Sequence, residues 1–213
     1  MMKLAFRLES VSYQSISLGV AGLMVGIVLA LMDSATREPI VQAQLRDTQQ
    51  SLEQVLPANY ADNNLLEDSV KVTGPSGAPL TVYRARSQGT VKAVLFELSG
   101  KGYGGPISLV MAVDASGTVL GVRITHHTET PGLGDKIDAD KGDWINSFAH
   151  KSFATLPRER WAVKKDGGEF DQFAGATITP RAVVNTVRQG LEFFNTHRAE
   201  LMGAGAPSEP HHE

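Results

Sequence analysis

The sequence predicts an α+β fold, with a single N-terminal transmembrane helix followed by a domain that has a twisted, mainly antiparallel sheet and flanking helices. Three observations predict it: Val11–Met32 contains no charged residue, short strand-like runs follow between Val70 and Thr125, and a helix-forming segment begins at Pro180. Consecutive strands joined by short turns pair antiparallel, and a terminal helix can cover one face of the resulting sheet.

The uncharged stretch Val11–Met32 predicts the transmembrane helix, because about 20 apolar residues in a helix cross the hydrocarbon core of a bilayer. Lys3 and Arg7 precede it, so the positive-inside rule predicts a cytoplasmic N-terminus for residues 1–10 and a location across the membrane for residues 33–202. A cleavable signal peptide is the alternative. No convincing small-x-small cleavage site follows the apolar run, which favours an uncleaved anchor.

Beyond the anchor the chain predicts a helix from Thr36 to about Leu56, which Pro57 ends. A polar loop reaches about Asp68. Five strands are then predicted, with turn sequences between them: Val70–Thr73, Leu80–Arg86, Thr90–Leu98, Ile107–Val113 and Thr118–Thr125. The small, polar, proline-containing tail, residues 203–213, is predicted to be disordered.

Composition narrows the classes of function. The 213 residues are 42% hydrophobic with a formal charge of -3, and this balance does not suggest a nucleic-acid partner, which would favour a basic patch. The absence of cysteine excludes disulfides and cysteine-ligated iron–sulfur clusters. Any redox chemistry therefore needs a borrowed cofactor.

The segment Gly175–Pro180 reads Gly-Ala-Thr-Ile-Thr-Pro and predicts a helix start. Proline is favoured in the first turn, and threonine is an accepted N-cap, so Thr179 is predicted to cap a helix from Pro180 to about His197. A hydroxyl beside the free N–H groups at the positive end of a helix suits a phosphate. An ordinary capped helix after a turn is the alternative interpretation.

The longer segment Asp171–Thr179 resembles the flavinylation motif of the FMN-binding domain family, which reads Asp, two variable residues, Ser or Thr, Gly-Ala-Thr, one variable residue, then Thr or Ser. In that family the phosphate of FMN is esterified to the last hydroxyl. The resemblance implies covalent FMN on Thr179, with three further cofactor-binding residues, Gly175, Ala176 and Thr177. Ala174 departs from the motif and removes one hydroxyl near the phosphate.

A second run, His126–Lys136, ends the last predicted strand. Its Glu-Thr-Pro-Gly-Leu-Gly core resembles the loop that the same family places against the flavin. The resemblance implies that this loop forms one wall of the isoalloxazine site. Six residues of the loop would then line the ring: Glu129, Thr130, Pro131, Gly132, Leu133 and Gly134. A zinc site is disfavoured, because His126 and His127 would point to opposite faces of a strand, and we predict no metal site.

Other conspicuous residues are assigned to the scaffold. The glycine-rich segment Gly100–Pro106 lacks a Walker pattern and is predicted to be a structural turn. Aromatic residues between the two motifs could stack on a flavin, but core packing is their more frequent use: Trp144, Phe148, Phe153 and Trp161. Asp171 is interpreted as ordering its turn, as assisting flavin attachment, or as a solvated charge.

The flanks of the second run, His-His before and Asp-Lys after, resemble most closely the G subunits of the Rnf/Rsx electron transport complex, which are related to the C subunit of the sodium-pumping NADH:quinone oxidoreductase. This resemblance covers nearly the whole chain. It implies an inner-membrane redox subunit with a periplasmic FMN domain, the other Rnf/Rsx subunits as partners, and a flavin transferase that uses FAD and Mg²⁺. The coupling ion, Na⁺ or H⁺, and the choice between ferredoxin/NAD chemistry and an iron–sulfur regulator stay open.

With no nucleotide-binding fingerprint and no acid–base constellation, the sequence favours an electron relay over an enzyme acting alone, and we predict no catalytic residue. Two alternatives stay open. One is a membrane-tethered binding or scaffold module without a cofactor, and the other is a periplasmic enzyme with non-covalent FMN.

Overall fold

The structure of the protein is a computed structural model that describes residues 11–203. The predicted cytoplasmic segment 1–10 and residues 204–213 of the predicted disordered tail lie outside the described residues. The chain divides between Thr48 and Gln49 into two units.

Helix α1, Val11–Gln54, is 44 residues long. Between Ile16 and Met32 its large apolar side chains are exposed to solvent, and the helix is long and apolar enough to cross a membrane. The sequence predicts two helices here, with a boundary near Asp33, whereas the structure has one. Pro39 lies inside it. Polar side chains cover carbonyls just upstream: Ser34 donates to the Leu31 carbonyl (2.9 Å) and Thr36 to that of Met32 (2.8 Å).

The second unit contains a five-stranded sheet in the order β1-β2-β3-β4-β5, with every neighbouring pair antiparallel. The strands are β1 Ser69–Thr73, β2 Pro79–Ser87, β3 Thr90–Lys101, β4 Pro106–Asp114 and β5 Val119–His126. All five predicted strands are therefore confirmed. A chain of hairpins places the ends of β3 and β5 on either side of the start of β4, since Lys101 pairs with Pro106 and Ser108 with His126.

Side chains alternate across this sheet, and both faces are covered. On β3, Val94 and Phe96 belong to the main core, whereas Ala93 and Leu95 belong to a smaller core on the opposite face. This period of two is the expected signature of a sheet buried on both sides. The smaller core is completed by Leu52, Val55 and Leu65, so the end of the predicted second helix is buried against the sheet.

Helix α2, Ile178–Met202, packs on the main core with a stripe of valine, leucine and phenylalanine at helical spacing: Val183, Val184, Val187, Leu191 and Phe194. This spacing gives a helix one apolar face. The other end of α2 is fixed by the buried Arg84 of β2, whose guanidinium donates to the carbonyls of Leu201 (3.0 Å) and Glu200 (3.2 Å). These are carbonyls of the last turn, which have no partner inside a helix.

Between β5 and α2 the chain runs through four 3-10 turns, Asp135–Ile137, Trp144–Phe148, Arg158–Arg160 and Lys164–Asp166. Their aromatic side chains form a cluster in which the Phe148 and Phe170 rings stack at 4.5 Å and the Trp161 indole N–H donates to the Leu156 carbonyl. Phe148 and Trp161 have no exposed surface. Core packing, the predicted use of these aromatic residues, is confirmed.

Candidate functional site

The two segments predicted to form the site meet at a cleft of about 290 Å³. It lies between the loop after β5 and the start of α2, and its volume is at the lower end of the range for ligand pockets. The predicted residues that line it are Glu129, Thr130, Leu133, Gly134, Gly175, Ala176, Thr177 and Thr179. Pro131 and Gly132 do not line it; they form the turn within the loop, where Gly132 has a φ of +77°. Tyr103 and Ile178 line it as well and were not predicted.

The start of α2 differs from the prediction. The helix begins at Ile178 with Thr177 in the N-cap position, and the Thr177 side chain makes no capping hydrogen bond. Thr179 is therefore the second helical residue and not the cap. Pro180 stays within the first turn, where its missing N–H costs nothing because such groups have no partner inside a helix. The N-terminal end of the helix still faces the cleft, but the Thr179 hydroxyl beside it has another partner.

That partner is Glu129. The Thr179 hydroxyl donates to Glu129 Oε2, while the other carboxylate oxygen, Oε1, accepts the backbone N–H groups of Tyr103 and Gly104, each at 2.9 Å. Thr179 has no exposed surface, and Glu129 is 6% exposed. A buried carboxylate needs such donors to offset its desolvation. One carboxylate thus joins three segments: the glycine-rich segment Gly100–Pro106 (the glycine loop), the loop that follows β5 (the β5 loop) and helix α2.

The backbone of Glu129 is fixed as well. Its N–H donates to His127 Nδ1 (3.0 Å), and His127 Nε2 lies 2.9 Å from Asp138 Oδ2. Because Nδ1 accepts a hydrogen bond, the proton of a neutral imidazole is on Nε2 and points to the Asp138 carboxylate. His127 therefore orients the β5 loop. Within residues 11–203 no group of three or more His, Cys, Asp and Glu side chains is arranged to hold a metal ion.

The glycine segment between β3 and β4, predicted to be only a turn, supplies the donors for Glu129. It approaches the β5 loop so closely that a Cβ on Gly104 would lie 2.1 Å from the Thr128 carbonyl oxygen. A Cβ on Gly102 would lie 2.4 Å from Glu129 Oε1. Glycine is thus required at these two positions because a side chain would collide with neighbouring atoms, and not because the backbone needs a positive φ. The density of glycines in this segment was visible in the sequence, but the sequence did not indicate that the glycines surround the Glu129 carboxylate.

Gly134 makes the equivalent approach from the other side. A Cβ there would lie 2.9 Å from Glu129 Oε2 and 3.0 Å from Thr179 Oγ1. The glycines around Glu129 thus allow the glycine loop, the β5 loop and the start of α2 to pack closely around the hydrogen bond between the Thr179 and Glu129 side chains. Closure of this kind keeps water from competing for Thr179 and Glu129.

The rim of the cleft is apolar and exposed. Tyr103 is 72% exposed, Ile178 48% and Leu133 43%. Exposed apolar and aromatic groups around a polar floor suit a ligand with a planar ring and an anionic end. FMN has both, so the residues present fit this cofactor: the rim would contact the ring, and the start of α2 would hold the phosphate.

Charged groups beside the start of α2 fix the preceding segment. Arg181 forms two hydrogen bonds to the Asp166 carboxylate, at 2.6 and 2.9 Å. The hydrogen bond from Arg181 lowers the pKa of Asp166 below its usual value, and the same pair raises the pKa of Arg181. Asp171 of the motif pairs with Lys164 at 2.6 Å and is exposed, as is Ala174. The turn before the helix is thus held from two sides by surface ion pairs.

Known proteins resemble the chain along most of its length. Residues 102–192 match the family model of the FMN-binding domain. The G subunit of the ion-translocating oxidoreductase complex of Cereibacter sphaeroides is 50% identical over 87% of this chain and 84% of its own length. The protein of the same name in Stutzerimonas stutzeri is 48% identical over 87% of this chain and 81% of its own. The crystal structure of NqrC from Shewanella oneidensis superposes with a TM-score of 0.48 at 24% identity, over 68% of this chain and 72% of that one.

The matched family segment contains the glycine loop, the β5 loop and the first turns of α2, and so the whole cleft. Identity near one half over most of both chains is too high for a shared fold alone. The chain belongs to the family formed by the G subunits of ion-translocating oxidoreductase complexes, with an FMN-binding domain.

Proposed function

We propose that the protein is a membrane-anchored flavoprotein electron carrier that holds FMN as a phosphoester on Thr179 and relays electrons within an Rnf-type ion-translocating complex. The observation that supports it best is the position of Thr179: it lines the cleft from the first turn of α2, where the two segments that resemble the family's flavin motifs meet. Membership in this family of G subunits supports the electron-carrier role.

The chain's own residues would each do a limited task. The start of α2 offers N–H groups and a positive dipole end to the phosphate, and the glycine and alanine before it admit the ligand close to the backbone. Leu133, Ile178 and Tyr103 give the ring an apolar surface. FMN, when bound, supplies the one- and two-electron chemistry. An ester through the phosphate leaves the ring free and prevents loss of the cofactor.

The buried hydroxyl has a consequence for attachment. Because Thr179 has no exposed surface, the groups packed over its hydroxyl must move before a phosphorus atom can reach the oxygen. We propose that a flavin transferase using FAD and Mg²⁺ acts on this opened cleft. The other proposed partners are the remaining subunits of the complex, in agreement with the names of the relatives.

Intact mass spectrometry tests the attachment. The full chain is expressed with and without an active flavin transferase. We expect a mass gain equal to FMN less one water only with the transferase, and on the proteolytic peptide that contains Thr179. Thr196→Val, at an exposed position on the same helix that does not line the cleft, is the matched control and should keep the gain. No gain in the wild-type chain would refute the covalent linkage.

We further propose that the flavin domain lies on the periplasmic side of the inner membrane, because the basic residues Lys3 and Arg7 precede the anchor. A C-terminal alkaline phosphatase fusion should be active, and a C-terminal fluorescent fusion of a protein that folds only in the cytoplasm should be dark. The reverse pair of results would contradict this topology.

A further inference from the structure

His127 holds the β5 loop through a contact that depends on the protonation of its ring. Nδ1 accepts the backbone N–H of Glu129 at 3.0 Å, and Nε2 lies 2.9 Å from Asp138 Oδ2. Nδ1 can accept this hydrogen bond only while it carries no proton. Histidine is the side chain whose charge ordinarily changes between about pH 5 and pH 8. Acidification therefore places an N–H group of the imidazolium opposite the N–H group of Glu129.

The two partners of the ring respond to this proton in opposite ways. The Asp138 carboxylate, which follows the 3-10 turn Asp135–Ile137, attracts an imidazolium more strongly than a neutral ring. The N–H group of Glu129 loses its acceptor. The charged ring therefore stays with Asp138 and releases the backbone of Glu129.

The other elements packed on this loop bring no second ionic partner to the ring. Within residues 11–203, the imidazole of His127 pairs with no carboxylate other than that of Asp138. The glycine loop approaches at Thr128 through Gly104, which carries no charge. The Glu129 carboxylate is occupied by two backbone N–H groups of the glycine loop and by a hydroxyl of α2. The imidazole side chain is 18% exposed, so a proton from solvent can reach it.

His197 shows that the direction of the hydrogen bond decides the response. Its Nδ1 lies 3.0 Å from the Phe193 carbonyl oxygen, which can only accept, so Nδ1 donates. A second proton on that ring goes to Nε2 and leaves the hydrogen bond intact. At His127 the same nitrogen accepts, and a second proton removes the hydrogen bond.

We propose that His127 is a pH-sensitive latch on the wall of the cleft: the neutral ring fixes Glu129 and the β5 loop, and the imidazolium releases them. The segment that is released lines the cleft through Glu129, Thr130 and Leu133. The latch belongs to the chain without a cofactor. Its effect on FMN, which loses one wall of the ring site on acidification, rests on the proposed function.

Amide hydrogen exchange of the full chain in detergent, without flavin, tests the latch. Exchange of the Glu129 amide is followed by mass spectrometry at about pH 8 and about pH 5, and each rate is divided by that of an unstructured peptide at the same pH. We expect the corrected rate to rise at least about fivefold at the lower pH, because the amide has lost its acceptor. Amides within β3 and β4 should keep their rates, which excludes general unfolding.

Three substitutions separate His127 from other titrating groups. His127→Asn keeps an acceptor near the position of Nδ1 but gains no proton, so the Glu129 amide should be protected at both pH values. His126→Asn, at the exposed neighbouring position, is the matched control and should respond as the wild type does. Asp138→Asn removes the group that attracts the imidazolium, so release should need a lower pH than in the wild type.

Equal corrected rates at both pH values in the wild type overturn the proposal. A pH response that persists in His127→Asn also overturns it, because another group then titrates. If that variant does not fold, Asp138→Asn decides, and an unchanged release pH there counts against the latch.

The flavin-carrying chain gives a separate readout. The visible circular dichroism of the attached flavin should change over the same pH range, and a constant spectrum would contradict the effect on the ring site. Absence of attached flavin would refute the proposed function, whereas release in the flavin-free chain would still support the latch.

Discussion

Thr179→Val is expected to abolish the attached flavin completely while leaving a folded domain. Valine has nearly the shape of threonine but no hydroxyl to esterify. It also withdraws the donor from Glu129 Oε2, a buried carboxylate oxygen. An unsatisfied buried acceptor costs about 1–3 kcal/mol of the free energy of unfolding. For a domain of this size that lowers the unfolding temperature by roughly 2–12 °C.

The measurements are intact mass after expression with the transferase and thermal unfolding of the unmodified chain. Thr179→Ser is the matched control, because serine keeps the hydroxyl, and it should retain both the attached flavin and the bond to Glu129. A Val variant that still carries covalent flavin would place the ester on another residue. A Val variant as stable as wild type would show that Glu129 finds another donor.

The stability effect has a different cause from the one the sequence suggests. From sequence, Thr179 is a helix cap, and its loss would free an N–H group of the helix. In the structure the helix begins two residues earlier, at Ile178, and the Thr179 hydroxyl donates to a residue 50 positions away. A cap is a local property that propensities can predict, but a bond between Thr179 and Glu129 depends on how β5 and α2 are brought together.

The same distinction explains which parts of the fold were predictable. All five strands follow from short strand-like runs bounded by turn residues, which are local signals. The predicted break between two helices near Asp33 was wrong, since one helix continues to Gln54. The charged residues after Met32 and Pro39 mark the end of the apolar stretch and not the end of the helix. Most cleft residues were found through their motifs. Tyr103 and its glycines were not, since their importance comes from contact with Glu129.

Gly104→Ala is expected to be among the most destabilising single-methyl changes in the second unit. The added Cβ would lie 2.1 Å from the Thr128 carbonyl oxygen and 2.9 Å from its carbon, and both are backbone atoms that cannot rotate away. The glycine loop must move from the β5 loop, and the N–H groups of Tyr103 and Gly104 then leave Glu129. Overpacking costs about 1–3 kcal/mol, and hydrogen bonds to a charged group about 1.5–3 kcal/mol.

The free energy of unfolding is therefore expected to fall by roughly 3 kcal/mol or more, which corresponds to a decrease of at least about 6–12 °C in unfolding temperature. Gly142→Ala is the matched control, because a Cβ there has no atom within 4 Å, and it should change stability by less than about 0.5 kcal/mol. The Ala variant at position 104 should also attach flavin more slowly, because Tyr103 and the β5 loop, which line the cleft proposed to bind FMN, would move apart. Normal stability together with normal attachment would mean that the glycine loop does not support Glu129, and the carboxylate would then owe its position to His127 and Thr179 alone.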